Sequence, residues 1–187
     1  MLRRGAGAGS SSIRFALFTP GEGEPDRTVA GRIEEIGTAP HMIAHDAGGA
    51  ILTERRWADG ATLAHEALLG RMLHWVDHHL DSAELLGVGH RVVHDDARFS
   101  APARVTPSLL GALEALCPLA PLHQPHNLAA IVAVAAARPR LPQVACFDTA
   151  DGAAGAAGIG RCHLLCSVAP AGSIGRPAAA RQPALCR

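Results

Sequence analysis

The chain has 187 residues, 17 arginines against 17 acidic side chains, and 48% apolar residues, which bounds it to one ordinary domain or one lobe of a two-lobed protein. The balanced charge argues against a nucleic-acid or anionic-membrane binder, which carries a basic excess, and no apolar run is long enough to span a bilayer. Lysine is absent, so neither a Schiff-base lysine nor the lysine of a Walker phosphate loop is available.

Taken in chain order, Arg3 and Arg4 precede no apolar stretch of the signal-peptide kind, and a cytoplasmic location is expected. Ile13, Phe15 and Leu17 alternate with Arg14 and Ala16 before Thr19-Pro20-Gly21, a strand closed by a turn. The polar stretch from Glu22 to Arg27 reads as a loop or hairpin tip. Short strands continue through Ile33 to Gly37, Met42 to His45 and Ala50 to Thr53, the last two divided by Gly48-Gly49. From Ala61 to Leu80 the apolar residues Ala64, Leu68, Met72 and Val76 recur every fourth position, with Leu69, Leu73 and Leu80 beside them, the stripe of an amphipathic helix.

Leu85 to Val93 reads as a buried strand. Thr106-Pro107 is an N-cap followed by proline at the first helical position, opening a helix through Leu109, Leu110, Leu113 and Leu116. Asn127 is placed to cap an alanine-rich helix that must end before Pro139. Gln143 to Phe147 is a further strand. Hairpins followed by strand and helix alternation predict an α/β fold with a mixed sheet flanked by helices.

After Thr149 the character changes to Ala, Gly, Arg, Pro and Cys, with Asp151 the sole acidic residue, and no helical or strand period persists beyond His163 to Val168. Residues 1–150 are therefore expected to form the folded body and 151–187 an irregular or disordered tail. A change of reading frame after Ala150 accounts for the shift; a divergent tail is the alternative. The five cysteines, an odd number, argue against a disulfide framework, and Cys117 and Cys146 read as small core residues.

Among candidate sites, Arg91 lies between apolar residues, where an unpaired guanidinium is costly, so it needs either a structural ion pair or an anionic ligand. Asp148 ends an apolar strand as a cap, a turn former or a catalyst. His123, before Gln124-Pro125, reads as a hydrogen-bonded loop histidine. Gly9-Ser10-Ser11-Ser12 is a flexible loop or a phosphate cradle. His74 and His78 share a helical face with Asp77 and His79 nearby, but no third ligand completes a metal site and the stretch reads as a solvated face. Cys162-His163-Leu164-Leu165-Cys166 lacks a second ligand pair, so no metal ligand is assigned.

Four of these stretches, Gly9 to Arg14, Gly89 to His94, Ala120 to Pro125 and Val144 to Thr149, resemble in order and spacing the motifs of the acetate kinase family over about Gly7 to Ala150. The resemblance implies that 1–150 is the N-terminal lobe of an actin-like, ribonuclease H-like ATPase fold. It implies transfer of the γ-phosphoryl group of ATP to acetate, giving acetyl phosphate and ADP, with Mg2+ as cofactor. Arg91 then matches the arginine that engages carboxylate and phosphoryl group, Asp148 the catalytic aspartate, and His123 a histidine facing the phosphoryl group. Val93 and Leu122 match the wall of the acetate methyl pocket. Ser10, Ser11, Ser12 and Arg14 match the first phosphate-contacting turn, Arg14 standing where the family has lysine.

Gly7 replaces an asparagine associated with the metal-nucleotide, Asp95 and Asp96 replace two glycines, and Gln124 replaces an asparagine. The family's second lobe, which binds adenine and ribose, has no counterpart in the matching region. Two functions follow: an acetate kinase acting on acetate or another short carboxylate with ATP, or a truncated, inactive remnant that binds small anions or a second-lobe partner. Neither nucleic acid nor membrane is an expected partner, and the family homodimer is not expected without the second lobe.

Overall fold

A computed structural model of the chain describes residues 12–20, 25–58, 62–80, 84–93, 101–118, 124–148 and 164–169, with Glu84, Val93, Gln124, His126, Asn127, Asp148 and 164–169 described by their backbone alone. Strands β1 (Ile13–Thr19), β2 (Asp26–Glu34), β3 (His41–Asp46) and β4 (Ile51–Arg56) pair antiparallel in succession. Helix α1 (His65–Leu80) follows, then β5 (Glu84–Val93), β6 (Ala103–Arg104), α2 (Pro107–Glu114), α3 (Gln124–Ala137), β7 (Gln143–Asp148) and β8 (Leu164–Ala169). All eight strands join one mixed sheet in the order β4-β3-β2-β1-β8-β5-β7-β6.

The alternation read in the sequence sorts this sheet into two faces. Ile13, Phe15 and Leu17 pair with Ile33, Gly31 and Val29, and Ile33 and Gly31 pair in turn with Met42 and Ala44. Their side chains form one buried cluster with Leu68, Leu69, Met72, Leu73 and Val76 of α1. Burial of these α1 side chains stabilises the helix by roughly 1.5–3 kcal/mol each, far above the few tenths per residue that separate good from ordinary helix formers. Packing therefore holds α1 in place. Phe15 sets its ring edge-on to Trp75, with centroids 5.9 Å apart, and reaches across Gly31, where a Cβ would overlap the ring.

A second cluster joins Val92, Ala145 and Phe147 of the sheet to Leu113 of α2, Leu116 just after it, and Leu128 and Ile131 of α3. Val88 and Val134 belong to the first cluster, so α3 spans both, and an Arg138–Asp77 ion pair ties its end to α1. The helices described thus pack on one face of the sheet, the face of Ile13, Phe15, Val88 and Val92.

Local chemistry accounts for the element ends. Thr106 accepts a hydrogen bond from the Leu109 amide at 3.1 Å, with Pro107 at the first helical position, as its spacing predicts. The β3–β4 turn closes on Asp46, whose carboxylate accepts from the Ala50 amide at 2.8 Å, while Gly49 takes φ +89°, a conformation glycine adopts without penalty. Asn127 is not a cap: α3 begins at Gln124, because Pro125 suits the first turn, where its missing N–H is not needed.

Leu164–Ala169 departs from the irregular tail expected after Ala150. It forms β8, parallel to β1 and antiparallel to β5, between them in the sheet.

Candidate functional site

The site face follows from register. Phe15 and His90 both pair with Leu164, from opposite sides of β8. Because β1 runs parallel to β8 and β8 antiparallel to β5, β1 and β5 run in opposite directions. Arg14, one residue before Phe15, is therefore level with Arg91, one residue after His90. Their backbones are roughly 10 Å apart, two strand spacings. Ser12, just before β1, comes level with Val93, and Val93 pairs with Asp148 across the parallel β5–β7 ladder.

Positions 12, 14, 91, 93 and 148 share one parity of the pleat, opposite to the parity of the helix-packed core. The N-terminal end of β1 and the carboxyl ends of β5 and β7 gather at one end of the sheet, where α/β sheets collect ligand groups. Arg14 is exposed, and Ser12 and Arg91 are half-buried. Two guanidiniums on one face suit an anion with several oxygens. Ser10, Ser11, Leu122, His123 and Gly7 lie outside the described residues, and α3 begins immediately after His123.

Beneath Arg91, on the opposite face, His90 is fully buried and its Nε2 donates to Gln143 Oε1 at 2.7 Å. Burial lowers its pKa to about 4, the hydrogen bond to Gln143 opposing part of that shift. His90 Nδ1 has no hydrogen-bond partner. This pair was not legible from residue types; its one signal is an amide, Gln143, opening an otherwise apolar strand.

Cys146 is not the core residue expected. It pairs with Arg91, so alternation places it on the face away from Ala145 and Phe147; it is half-buried and disulfide-bonded. Cys117, half-buried beside α2, is free.

Among the described residues no group of three or more His, Cys, Asp or Glu side chains is arranged to hold a metal ion, and no helix is long and apolar enough to cross a membrane. The donor set of the site face fits an anionic phosphate or carboxylate and supplies no cage for Mg2+.

The model of the Acetokinase family matches residues 6–153. Acetate kinase of Methylocella silvestris is 42% identical over 118 residues, 59% of this chain and 29% of that protein. Acetate kinase of Deinococcus radiodurans is 42% identical over 111 residues, 59% of this chain and 26% of that protein. The chain thus spans less than a third of the length of these relatives. Among solved structures, a propionate kinase from Francisella tularensis superposes with a TM-score of 0.56 at 23% identity, over 73% of this chain and 37% of that one. Porphyromonas gingivalis acetate kinase gives 0.55 at 23% identity over the same shares. The fold is that of one lobe of these kinases, an α/β mixed sheet with helices.

Proposed function

Since the chain belongs to the acetokinase family, we propose that residues 1–150 are the N-terminal lobe of a cytoplasmic acetate kinase and carry the phosphoryl-transfer half of its cleft, with β8 of the 151–187 segment completing the sheet. The reaction is attack of a carboxylate oxygen of acetate, or another short carboxylate, on the γ-phosphorus of ATP. The bond to the β–γ bridging oxygen breaks, ADP leaves and an acyl phosphate forms. Such transfers depend on positioning and charge stabilisation more than on covalent chemistry.

In this reading the Arg91 guanidinium bridges the carboxylate and the phosphoryl oxygens, a planar fork holding nucleophile and electrophile in line. His123 donates to an equatorial oxygen as charge develops there, and Asp148 orients the reacting groups. Val93 and Leu122 wall the methyl pocket, and Ser10, Ser11, Ser12 and Arg14 hold the phosphates. Mg2+ bound with the nucleotide would neutralise phosphate charge, but Gly7 stands at the asparagine position and the described residues offer it no ligand cluster, so no step is assigned to it.

The observation that carries this reading is the shared level and face of Arg14 and Arg91, with Ser12, Val93 and Asp148 at the same end of the sheet. The reading is tested by assaying acyl phosphate formation, trapped as the hydroxamate, with the chain mixed with the complementary C-terminal part of the Deinococcus radiodurans enzyme, ATP, Mg2+ and acetate. Turnover abolished by Arg91→Ala is expected; turnover indifferent to that change overturns the site. The second reading is an inactive remnant binding small anions or a second-lobe partner. It predicts that residues 1–187 alone give no acyl phosphate above blank, while still binding phosphate.

A further inference from the structure

Helix α1 carries a chemistry that phosphoryl transfer does not use. His74 and His78 lie four residues apart, one above the other on the same helical face, and both are exposed. Their rings approach to 4.1 Å between centroids at an angle of 53°. The Nδ1 of His78 lies 2.9 Å from the backbone carbonyl oxygen of His74. A carbonyl oxygen accepts, so Nδ1 carries the proton. The Nε2 of the neutral ring is then left with its lone pair in the plane of the imidazole, on an exposed side chain. Fixing one ring nitrogen by donation to a carbonyl is how metal-binding histidines are held in the ligating tautomer.

We propose that His74 and His78 form a two-imidazole chelate for a divalent late transition metal, Cu2+, Ni2+ or Zn2+, on the exposed face of α1. A metal bound by imidazole at about 2.0–2.1 Å needs the two nitrogens about 3 Å apart, a spacing that rings one helical turn apart reach by side-chain rotation. Water completes the coordination. Asp77, the nearest carboxylate in sequence, is engaged with Arg138, and the imidazole of His79 stacks on Trp75 at 4.9 Å and 15°, so neither is a third ligand. The donor pair sets the selectivity: imidazole suits Cu2+, Ni2+ and Zn2+, whereas Mg2+ and Ca2+ prefer oxygen ligands. The site is therefore separate from any nucleotide-bound Mg2+. Protons compete for the same nitrogens, so affinity falls on acidification.

Calorimetric titration of the full chain with NiCl2 tests this, Ni2+ being chosen because it does not oxidise the free thiol of Cys117. The expected result is a tightest site of one Ni2+ per chain. It should be weakened at least about tenfold by His74→Gln and by His78→Gln separately, and left unchanged by His79→Gln and by millimolar Mg2+. Far-UV circular dichroism of the variants, all altered at exposed positions of α1, establishes that the helix is intact. Ni2+ affinity unchanged in either His74→Gln or His78→Gln overturns the proposal, as does an equal loss in His79→Gln.

Discussion

His90 and Gln143 meet at 2.7 Å in the interior of the protein, one residue from Arg91 on the opposite face of the same strand. The neutral ring satisfies the amide oxygen through Nε2, and the proton that would charge it must enter at Nδ1, which faces no acceptor. The folded-state pKa is about 4 against an ordinary 6.5. As pH falls below 6.5 the unfolded chain binds a proton that the folded chain refuses, and stability is lost until the folded state protonates near pH 4.

The expected loss between pH 7 and pH 4 is on the order of 3 kcal/mol, the free-energy equivalent of that shift. Urea unfolding at pH 7, 5.5 and 4.5 measures it. The double variant His90→Leu/Gln143→Leu, which removes both polar partners together, should flatten this part of the profile. An equally steep profile in that variant would assign the acid lability elsewhere.

Gly31 is the second expectation. Its missing side chain leaves room for the buried ring of Phe15, so Gly31→Ala forces that ring off its seat against Trp75. A destabilisation of roughly 1–3 kcal/mol is expected from such overpacking, read as a lower denaturant midpoint at unchanged slope. The smaller ring-site side chain of Phe15→Leu should relieve part of the added cost when combined with Gly31→Ala.

Arg14 and Arg91 share a face but not an environment, and their contributions to anion binding should differ accordingly. Arg91 is half-buried, so Arg91→Gln should weaken inorganic phosphate binding by about 10- to 100-fold, the worth of a charge-assisted hydrogen bond. Arg14 is exposed, and Arg14→Gln should cost about fivefold or less at moderate salt. Equal effects, measured by calorimetry, would contradict the proposed role of Arg91 at the centre of the site.

A proline in β8 tests the place of the tail strand. Ser167 pairs with Phe18 on one side and Gly87 on the other, so its position lies between two ladders. Ser167→Pro removes a donor there and fixes φ, and central strands do not tolerate this. A loss of about 3 kcal/mol or more is expected, visible as a thermal midpoint lowered by many degrees. An unchanged midpoint would return the tail to the irregular state that its composition suggests.

What could be read ahead of the structure was what neighbouring residues decide. Thr106-Pro107 announces a helix start because cap and proline act within one turn, and the four-residue recurrence from Ala64 to Val76 announces the buried face of α1. The alternation at Ile13, Phe15 and Leu17 placed their side chains inward. Asn127 misled because a good capping residue lay near Pro125, which starts the same helix more cheaply. The period that ends at His163 to Val168 was too short to place β8: the strand's partners, β1 and β5, lie about 150 and 75 residues away along the chain, and pairing at such separations is set by the sheet and not by local propensity. The same holds for the site. Arg91 and Asp148 stood out as polar groups in apolar strands, but the common level of Arg14 and Arg91 exists only through Leu164, and the disulfide at Cys146 only through the folded chain.

The central place of β8 also governs the order of events during synthesis. Strands β1 to β4 emerge from the ribosome well before residue 164 and can close their hairpins locally, while β5 and β7 can pair as soon as residue 148 is free. Each half then presents one raw strand, β1 or β5, whose outward amides and carbonyls have no partner in this sheet until β8 arrives. At about 5–20 residues per second the wait is on the order of a second or more, and the two waiting edges are templates for each other and for neighbouring nascent chains. The most vulnerable moment of this protein is therefore the interval between the emergence of β7 and that of β8, and the yield of soluble chain should depend on how quickly that stretch is made.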